Sequence, residues 1–431
     1  MPNVPSVSSI STSEKPGASG SSLRILSIAP TSFFSDYGCH VRILEEARTL
    51  KALGHDVTIV TYFKGTNTPG FRIIRTMPTP WHGNYEVGSS RHKFAFDILL
   101  GIRLLRVMAR NGFDVIHAHL HEGALLGSVL TRPWHIPVCF DYQGSLTSEM
   151  LDHGFLHRDT RLLGMWQQLE RVIERMPAAI FTSTLGAAEV LRQRISPASK
   201  VHTLLDGVNT DTFYPGILSA DERATHRTAY GWMLDDPVVV YLGLLAVHQG
   251  IGSLIEVAAR LKNEGRQIRW LVMGYPGVSD WQRLARENDL EKDMVFTGRV
   301  PYSNAPRMLA LGDIAIAPKL SQTEGSGKIL NYMAMGLPTV AFETPAQKEY
   351  LGNLGVYAPV GDTEALARRI VDLLDHPAQR GELGNRLRQR ALQQFGWDQV
   401  GLQIDSVYRE LLVPQRRAMY KRDSHMRNPS G

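Results

Sequence analysis

The sequence predicts an α/β protein of two Rossmann-like, doubly wound domains facing each other across a cleft. Two series of short apolar runs alternate with amphipathic helical patterns, which predicts two parallel sheets covered by helices. Between the series lies DGVNTDTFYPG (206–216), a polar and turn-rich stretch that predicts the joint. A third observation locates the chemistry. In SQTEGSGKILNYMAMGLPTVAF (321–342) a glycine-rich turn precedes a helical pattern, and free backbone N–H groups at such a junction suit an anion.

The first series opens with LRILSIAP (23–30), a strand ended by Pro. A helix follows, with Ile43, Leu44, Ala47, Leu50 and Leu53 on one side, and Gly54 stops it before the strand HDVTIVTY. That is a βαβ unit, whose strands must be parallel. FRIIRT (71–76), DVIHAH (114–119), PVCFDY (137–142) and AAIFTST (178–184) are the further strands. The second series runs from PVVVYLG (237–243) through a helix bearing Leu254, Ile255, Val257, Ala258 and Leu261 to IRWLVMG (268–274). MVFTGRV (294–300), DIAIAPK (313–319) and PTVAFE (338–343) complete it.

With 431 residues, 43% of them hydrophobic, the chain exceeds what one core supports and has room for two cores of roughly 180 to 200 residues. The expected division is a disordered tail at 1–22, a first domain at 23–205, a linker at 206–230, a second domain at 231–395 and a basic tail at 413–431. Residues 1–22 are rich in Ser, Pro and Gly without an apolar centre, unlike a signal peptide, and no run is long enough to cross a membrane. Cys39 and Cys139 form no metal-ligand pair or disulfide framework, so a cytoplasmic setting is expected. The net charge of +5 is mild and lacks aromatic interleaving, which argues against a nucleic-acid partner.

Within the glycine-rich turn, Gly325 and Gly327 let the backbone approach a ligand, Ser326 is the expected N-cap, and Lys328 adds positive charge suited to a diphosphate. Asn331 lies one helical turn on, and Glu324 precedes the turn as an acceptor for sugar hydroxyls. The context of this segment resembles the family 4 retaining glycosyltransferases of the GT-B fold, also called group 1 glycosyltransferases. The resemblance runs in order through DYGCHVRILEEARTLKALGHDVTIVT (36–61), DVIHAHLHEGALLG (114–127), LLDGVNTDTFYP (204–215) and YLGLLAVHQGIGSLIEVAARL (241–261). It continues through VMGYPG (272–277) and VFTGRVPYSNAPRMLALGDIAIAP (295–318) to FGWDQVGLQIDSVYREL (395–411). That last block resembles the helix returning to the first domain, here 396–412.

The resemblance implies sugar transfer from a nucleoside diphosphate sugar to an acceptor hydroxyl, with the anomeric configuration kept and no cofactor or metal required. It implies Glu324 and His119 as catalytic residues. The implied donor wall is Gly38, Gly243, Arg299, Val300, Lys319, Gly325, Ser326, Gly327, Lys328, Ile329 and Asn331. The acceptor is expected to be a glycan, lipid or small molecule in glycan, glycolipid or envelope synthesis.

Three departures from the family pattern stand out. Leu244 and Gln249 occupy the places of the Arg and Lys that grip the diphosphate, and Asn331 replaces the second Glu at a spacing shorter by one residue. Lys319 and Lys328 are the candidates to replace the missing cations. The alternative reading is a catalytically silent relative that binds sugar or a partner protein.

His117, His119 and His121 alternate at a predicted strand end, a pattern weighed for metal, but the sequence supplies no carboxylate or cysteine that clearly completes a set, and none is expected. On the acceptor side, Asp36, Asp141 and Gln143, with Glu149, are candidates for contacts with hydroxyls. RHKFAFDILLGIRLLRVMARNG (91–112) is a basic amphipathic helix that covers the sheet and could also rest on an anionic membrane surface.

Overall fold

A computed structural model describes residues 21–34, 38–78, 93–152, 156, 162–321 and 325–427, with side chains of the last helix described through residue 413. Asp36, Glu324 and the first 20 residues of the expected tail lie outside the described residues.

The first sheet has seven parallel strands, β1 (Arg24–Ala29), β2 (Asp56–Thr61), β3 (Arg72–Arg75), β4 (Val115–His119), β5 (Val138–Tyr142), β6 (Ala179–Thr182) and β7 (Val201–Thr203). Their order is β3-β2-β1-β4-β5-β6-β7. The second has six, β8 (Val238–Leu242), β9 (Arg269–Met273), β10 (Met294–Gly298), β11 (Ile314–Ala317), β12 (Thr339–Phe342) and β13 (Val356–Ala358), ordered β10-β9-β8-β11-β12-β13. Runs such as Val238–Tyr241 and Ile314–Ala317 are buried throughout because helices cover both faces of a parallel sheet. Both orders reverse beside the first strand, between β1 and β4 and between β8 and β11. Ligands bind beyond the strand ends at such reversals.

Helix α1 (Gly38–Ala52) follows β1, α2 (Lys93–Met108) precedes β4, and α3 (Leu120–Leu130) follows it. The chain crosses between the sheets at the 206–216 stretch and again near Gly396. The crossings lie side by side, with the Val208 N–H donating to the Phe395 carbonyl at 2.7 Å. The final helix, Trp397–Arg427, then packs Trp397, Val400, Ile404 and Tyr408 into the first domain's core with Ile43, Ala47 and Leu50 of α1. The two helices touch at Gly401, where an added Cβ would come within 1.8 Å of Thr49 Cγ2.

The backbone of that helix runs on to Arg427, through the segment expected as a basic tail. Residues 415–427 include several good helix formers and neither Gly nor Pro, so little in them stops a helix once it is docked. Among the described residues no helix is long and apolar enough to cross a membrane.

Candidate functional site

The two domains enclose a cavity of about 400 Å³ between the carboxyl ends of their sheets. Its C-terminal wall is built around Gly243, at the end of β8. Here φ is +151°, and an added Cβ would stand 2.7 Å from Lys328 Nζ, so a glycine at this place admits the ammonium group. Lys328 lies 4.3 Å from the centroid of the Tyr241 ring and donates to the Tyr241 hydroxyl at 3.0 Å and the Gln249 Oε1 at 3.1 Å. Burial raises the Tyr241 phenol well above its ordinary pKa, so it stays protonated and donates to the Leu244 carbonyl. Lys319, only 3% exposed, donates to the Gly325 carbonyl at 2.7 Å.

Lys319, Gly325, Ser326, Gly327, Lys328 and Asn331 all line this wall, as do Gly243, Leu244, Gln249 and Val300. The expected N-cap is different: Gly327 caps the short Lys328–Ala334 helix, and the Ser326 hydroxyl makes no capping hydrogen bond. The Ser326 hydroxyl is buried without a hydrogen-bond partner among the described residues. A buried hydroxyl in that condition is costly unless something else meets it. Ile329 is fully buried in the second domain's core and does not line the cavity. Arg299 also stands off the wall, with its guanidinium 5.6 Å from the centroid of the wall residue Tyr275.

The opposite wall comes from the first domain, with Gly38, Arg42, Lys93, Leu120, His121 and Glu122, then Gln143 and Glu149. Sequence reasoning missed Arg42, which is 4% exposed. Its guanidinium reaches Glu46 at 3.0 Å, Asp141 at 2.8 Å, Asp206 at 2.7 Å and the Leu204 carbonyl at 3.2 Å. Those carboxylates outweigh desolvation and hold Arg42 firmly protonated. Asp206 also accepts from the Tyr350 hydroxyl of the second domain at 3.1 Å, so one carboxylate ties the two domains. A signal was present: Arg42 and Glu46 stand four residues apart on a helix otherwise rich in apolar residues.

His119 lies under the cavity floor and not on its surface. It is 2% exposed, with Nδ1 2.9 Å from Asp141 Oδ2 and Nε2 3.1 Å from the Ser27 hydroxyl. Burial, reinforced by neighbouring His117, lowers its pKa and favours the neutral ring. Asp141 is fully buried, and although burial alone would raise its pKa, Arg42 and His119 hold it below the usual carboxylate range. Gln143 donates to Asp141 at 2.7 Å and presents the rest of its side chain to the cavity.

The three histidines do not share one face. β4 ends at His119, and the chain turns through Leu120 at φ +59°, an uncommon conformation for a bulky residue. His117 and His119 stack with ring centroids 4.5 Å apart. Among the described residues, they group with Glu46 and Asp141, whereas His121 groups with Glu170 and Glu174; within each group the potential donor atoms lie within 4.8 Å. In the first group the Arg42 guanidinium already supplies the positive charge that a metal would bring.

Two family descriptions match the chain, "Glycosyl transferase 4-like domain" over residues 37–207 and "Glycosyl transferases group 1" over residues 236–376. The chain is 27% identical over 304 residues to the alpha-D-kanosaminyltransferase of Streptomyces kanamyceticus, covering 69% of this chain and 77% of that one. Its fold is similar to sucrose-phosphate synthase from Thermosynechococcus elongatus, with a TM-score of 0.77, 19% identity, and coverage of 91% of this chain and 100% of that one. It is also similar to Anabaena HepE, solved in complex with UDP-glucose, with a TM-score of 0.71, 14% identity, and coverage of 90% and 100%. These structural likenesses show the shared GT-B architecture.

Proposed function

The chain belongs to the group 1 glycosyltransferases, and from that premise we propose that it moves a sugar from a nucleoside diphosphate sugar to an acceptor hydroxyl with the anomeric configuration kept. One observation carries this reading: Lys319, Lys328 and the Ser326 hydroxyl, which has no partner among the described residues, converge on a single wall of the interdomain cavity. Leu244 and Gln249 cannot supply the usual cationic grip. Lys328 Nζ is held against Gln249 Oε1, so a lysine from the helix after the glycine-rich turn reaches the place where the family pattern has one at 249.

In the reaction, the bond from the anomeric carbon to the diphosphate oxygen breaks, and the diphosphate leaves with the electron pair. The bond from the acceptor oxygen forms, and the acceptor's proton passes to the departing phosphate. Lys319 and Lys328 stabilise the negative charge that grows on the leaving group, the task of preorganised donors in a closed site. Ser326 adds a hydroxyl donor, and Asn331 contacts the ribose through its amide. Glu324, directly before Gly325 in sequence, holds the sugar hydroxyls. Keeping the configuration in a single displacement requires the acceptor on the same face as the leaving diphosphate. The wall formed by Gly38, Gln143 and Glu149 receives it. His119 acts as a positioning residue, through Asp141 and Arg42.

The relative solved with UDP-glucose supports a nucleotide sugar as donor class. The test is incubation with a panel of UDP-, GDP- and ADP-sugars, following donor hydrolysis or transfer by NMR. Turnover with retained anomeric configuration, reduced in Glu324→Ala, is expected. Nucleotide binding without turnover of any donor would favour a silent relative.

A further inference from the structure

Two neighbouring helices of the first domain expose apolar stripes that the core does not use. On α2 the stripe is Phe94, Ile98, Ile102 and Leu105, between 39% and 65% exposed, while Phe96, Leu100 and Leu104 of the same helix are buried. On the Leu162–Arg175 helix it is Leu162, Met165, Leu169 and Val172, between 37% and 56% exposed. Phe94 meets Trp166 with ring centroids 6.2 Å apart, which joins the two stripes. Such joined apolar ground on a protein surface marks an interaction site.

Among the described residues of these two helices, the exposed charges have one sign. Arg106, Arg171 and Arg175 are exposed. The acidic residues of these two helices point elsewhere. Asp97 accepts from the Tyr62 hydroxyl, Glu170 is buried and accepts from the Leu146 and Thr147 N–H groups, and Glu174 is buried against Arg194. An apolar surface flanked by arginines among the described residues is complementary to anionic headgroups over acyl chains. It is poorly suited to a second copy of itself, which would bring arginine against arginine.

We propose that the paired face of α2 and the Leu162–Arg175 helix docks on an anionic lipid surface. Lys93, the first residue of α2, lines the interdomain cavity and pairs with Glu122 at 2.5 Å. Docking therefore sets the acceptor end of the cleft beside the bilayer, where a lipid-linked hydroxyl can enter. The use of the surface for an acceptor rests on the transferase reading; the docking itself does not.

The test is flotation of the full chain with vesicles of phosphatidylcholine alone and of phosphatidylcholine with phosphatidylglycerol, at low and high salt. Flotation is expected only with the anionic vesicles and to weaken with salt. Removing one arginine, as in Arg171→Gln, should lower the partition coefficient about fivefold, the equivalent of about 1 kcal/mol per basic residue at such a surface. Ile98→Asp with Met165→Asp should abolish flotation while circular dichroism and nucleotide binding stay unchanged, since both side chains are exposed. Trp166 fluorescence should be quenched by brominated lipid and lose that signal in Trp166→Phe. Absence of flotation with anionic vesicles, or equal flotation of the double variant, overturns the proposal. So does a dimer in sedimentation that the double variant dissolves, which would make the occupant a second copy.

Discussion

On the C-terminal wall of the cleft, Lys319 is oriented by a backbone carbonyl and Lys328 by a phenol and an amide, whereas on the N-terminal wall Arg42 is enclosed by Glu46, Asp141 and Asp206. The difference lies in what each set of partners does to a charge. Carbonyl, phenol and amide dipoles fix the direction of an ammonium group. Three carboxylates cancel a guanidinium and more. In a poorly solvated cleft the second arrangement makes a structural knot. On the proposed reading the C-terminal wall binds the donor diphosphate, while the Arg42 cluster holds the shape of the opposite wall, and Asp206 links that cluster to Tyr350 across the domain joint.

The strongest way to break this comparison is Arg42→Met. It would leave Asp141 and Glu46 buried without their cation and is expected to cost about 3–5 kcal/mol in chemical denaturation. The same experiment on Lys328→Ala should show a far smaller change. That variant should instead lose about 1.5–3 kcal/mol of nucleoside diphosphate binding, roughly ten- to a hundredfold in Kd, by calorimetry. If Arg42→Met weakened nucleotide binding with stability intact, the roles of the walls would be reversed.

Tyr350→Phe sharpens the account of the joint. The ring is fully buried and keeps its packing, so only the hydroxyl's bonds to Asp206 and to the Ser183 carbonyl are lost, at about 1 kcal/mol. Faster amide exchange in residues 206–216 should accompany it. The last effect concerns pH. Burial, with Glu122 nearby, pushes the Asp97 carboxyl from its ordinary 3.8 up to about 7. Between those values the folded state binds more protons than the unfolded chain, so this group's contribution to stability falls as pH rises through the window. Asp97→Asn should flatten that part of a pH–stability curve measured by thermal melting.

Much of the architecture was legible because buried parallel strands announce themselves as apolar runs, as in VVVYL and IAIA. The edge strands VHT and VYA escaped because three residues give no periodicity to read. Helix α1 misled by showing one apolar side, when its other sides are also covered, in part by the C-terminal helix. That cover hides Arg42, whose partners at 141 and 206 come from distant segments. The glycine turn brought Lys319, Lys328 and Asn331 to the cavity as their sequence positions suggested. His119 could not be placed so well: a strand-end side chain can face the cleft or the space beneath it, and only the packing of β1, α1 and β5 decides. Ser326 was visible as a small polar residue, but its orphaned hydroxyl depends on the turn's geometry.

The central claim is that the C-terminal wall holds a nucleoside diphosphate sugar. The direct measurement is calorimetric titration of UDP, GDP and ADP, and of one sugar conjugate of each, into the wild type and Lys319→Ala/Lys328→Ala. The account predicts that at least one nucleotide family binds the wild type and binds the double variant at least tenfold more weakly, with melting behaviour nearly unchanged. Binding of equal strength to both proteins, or of no nucleotide to the wild type, would contradict it.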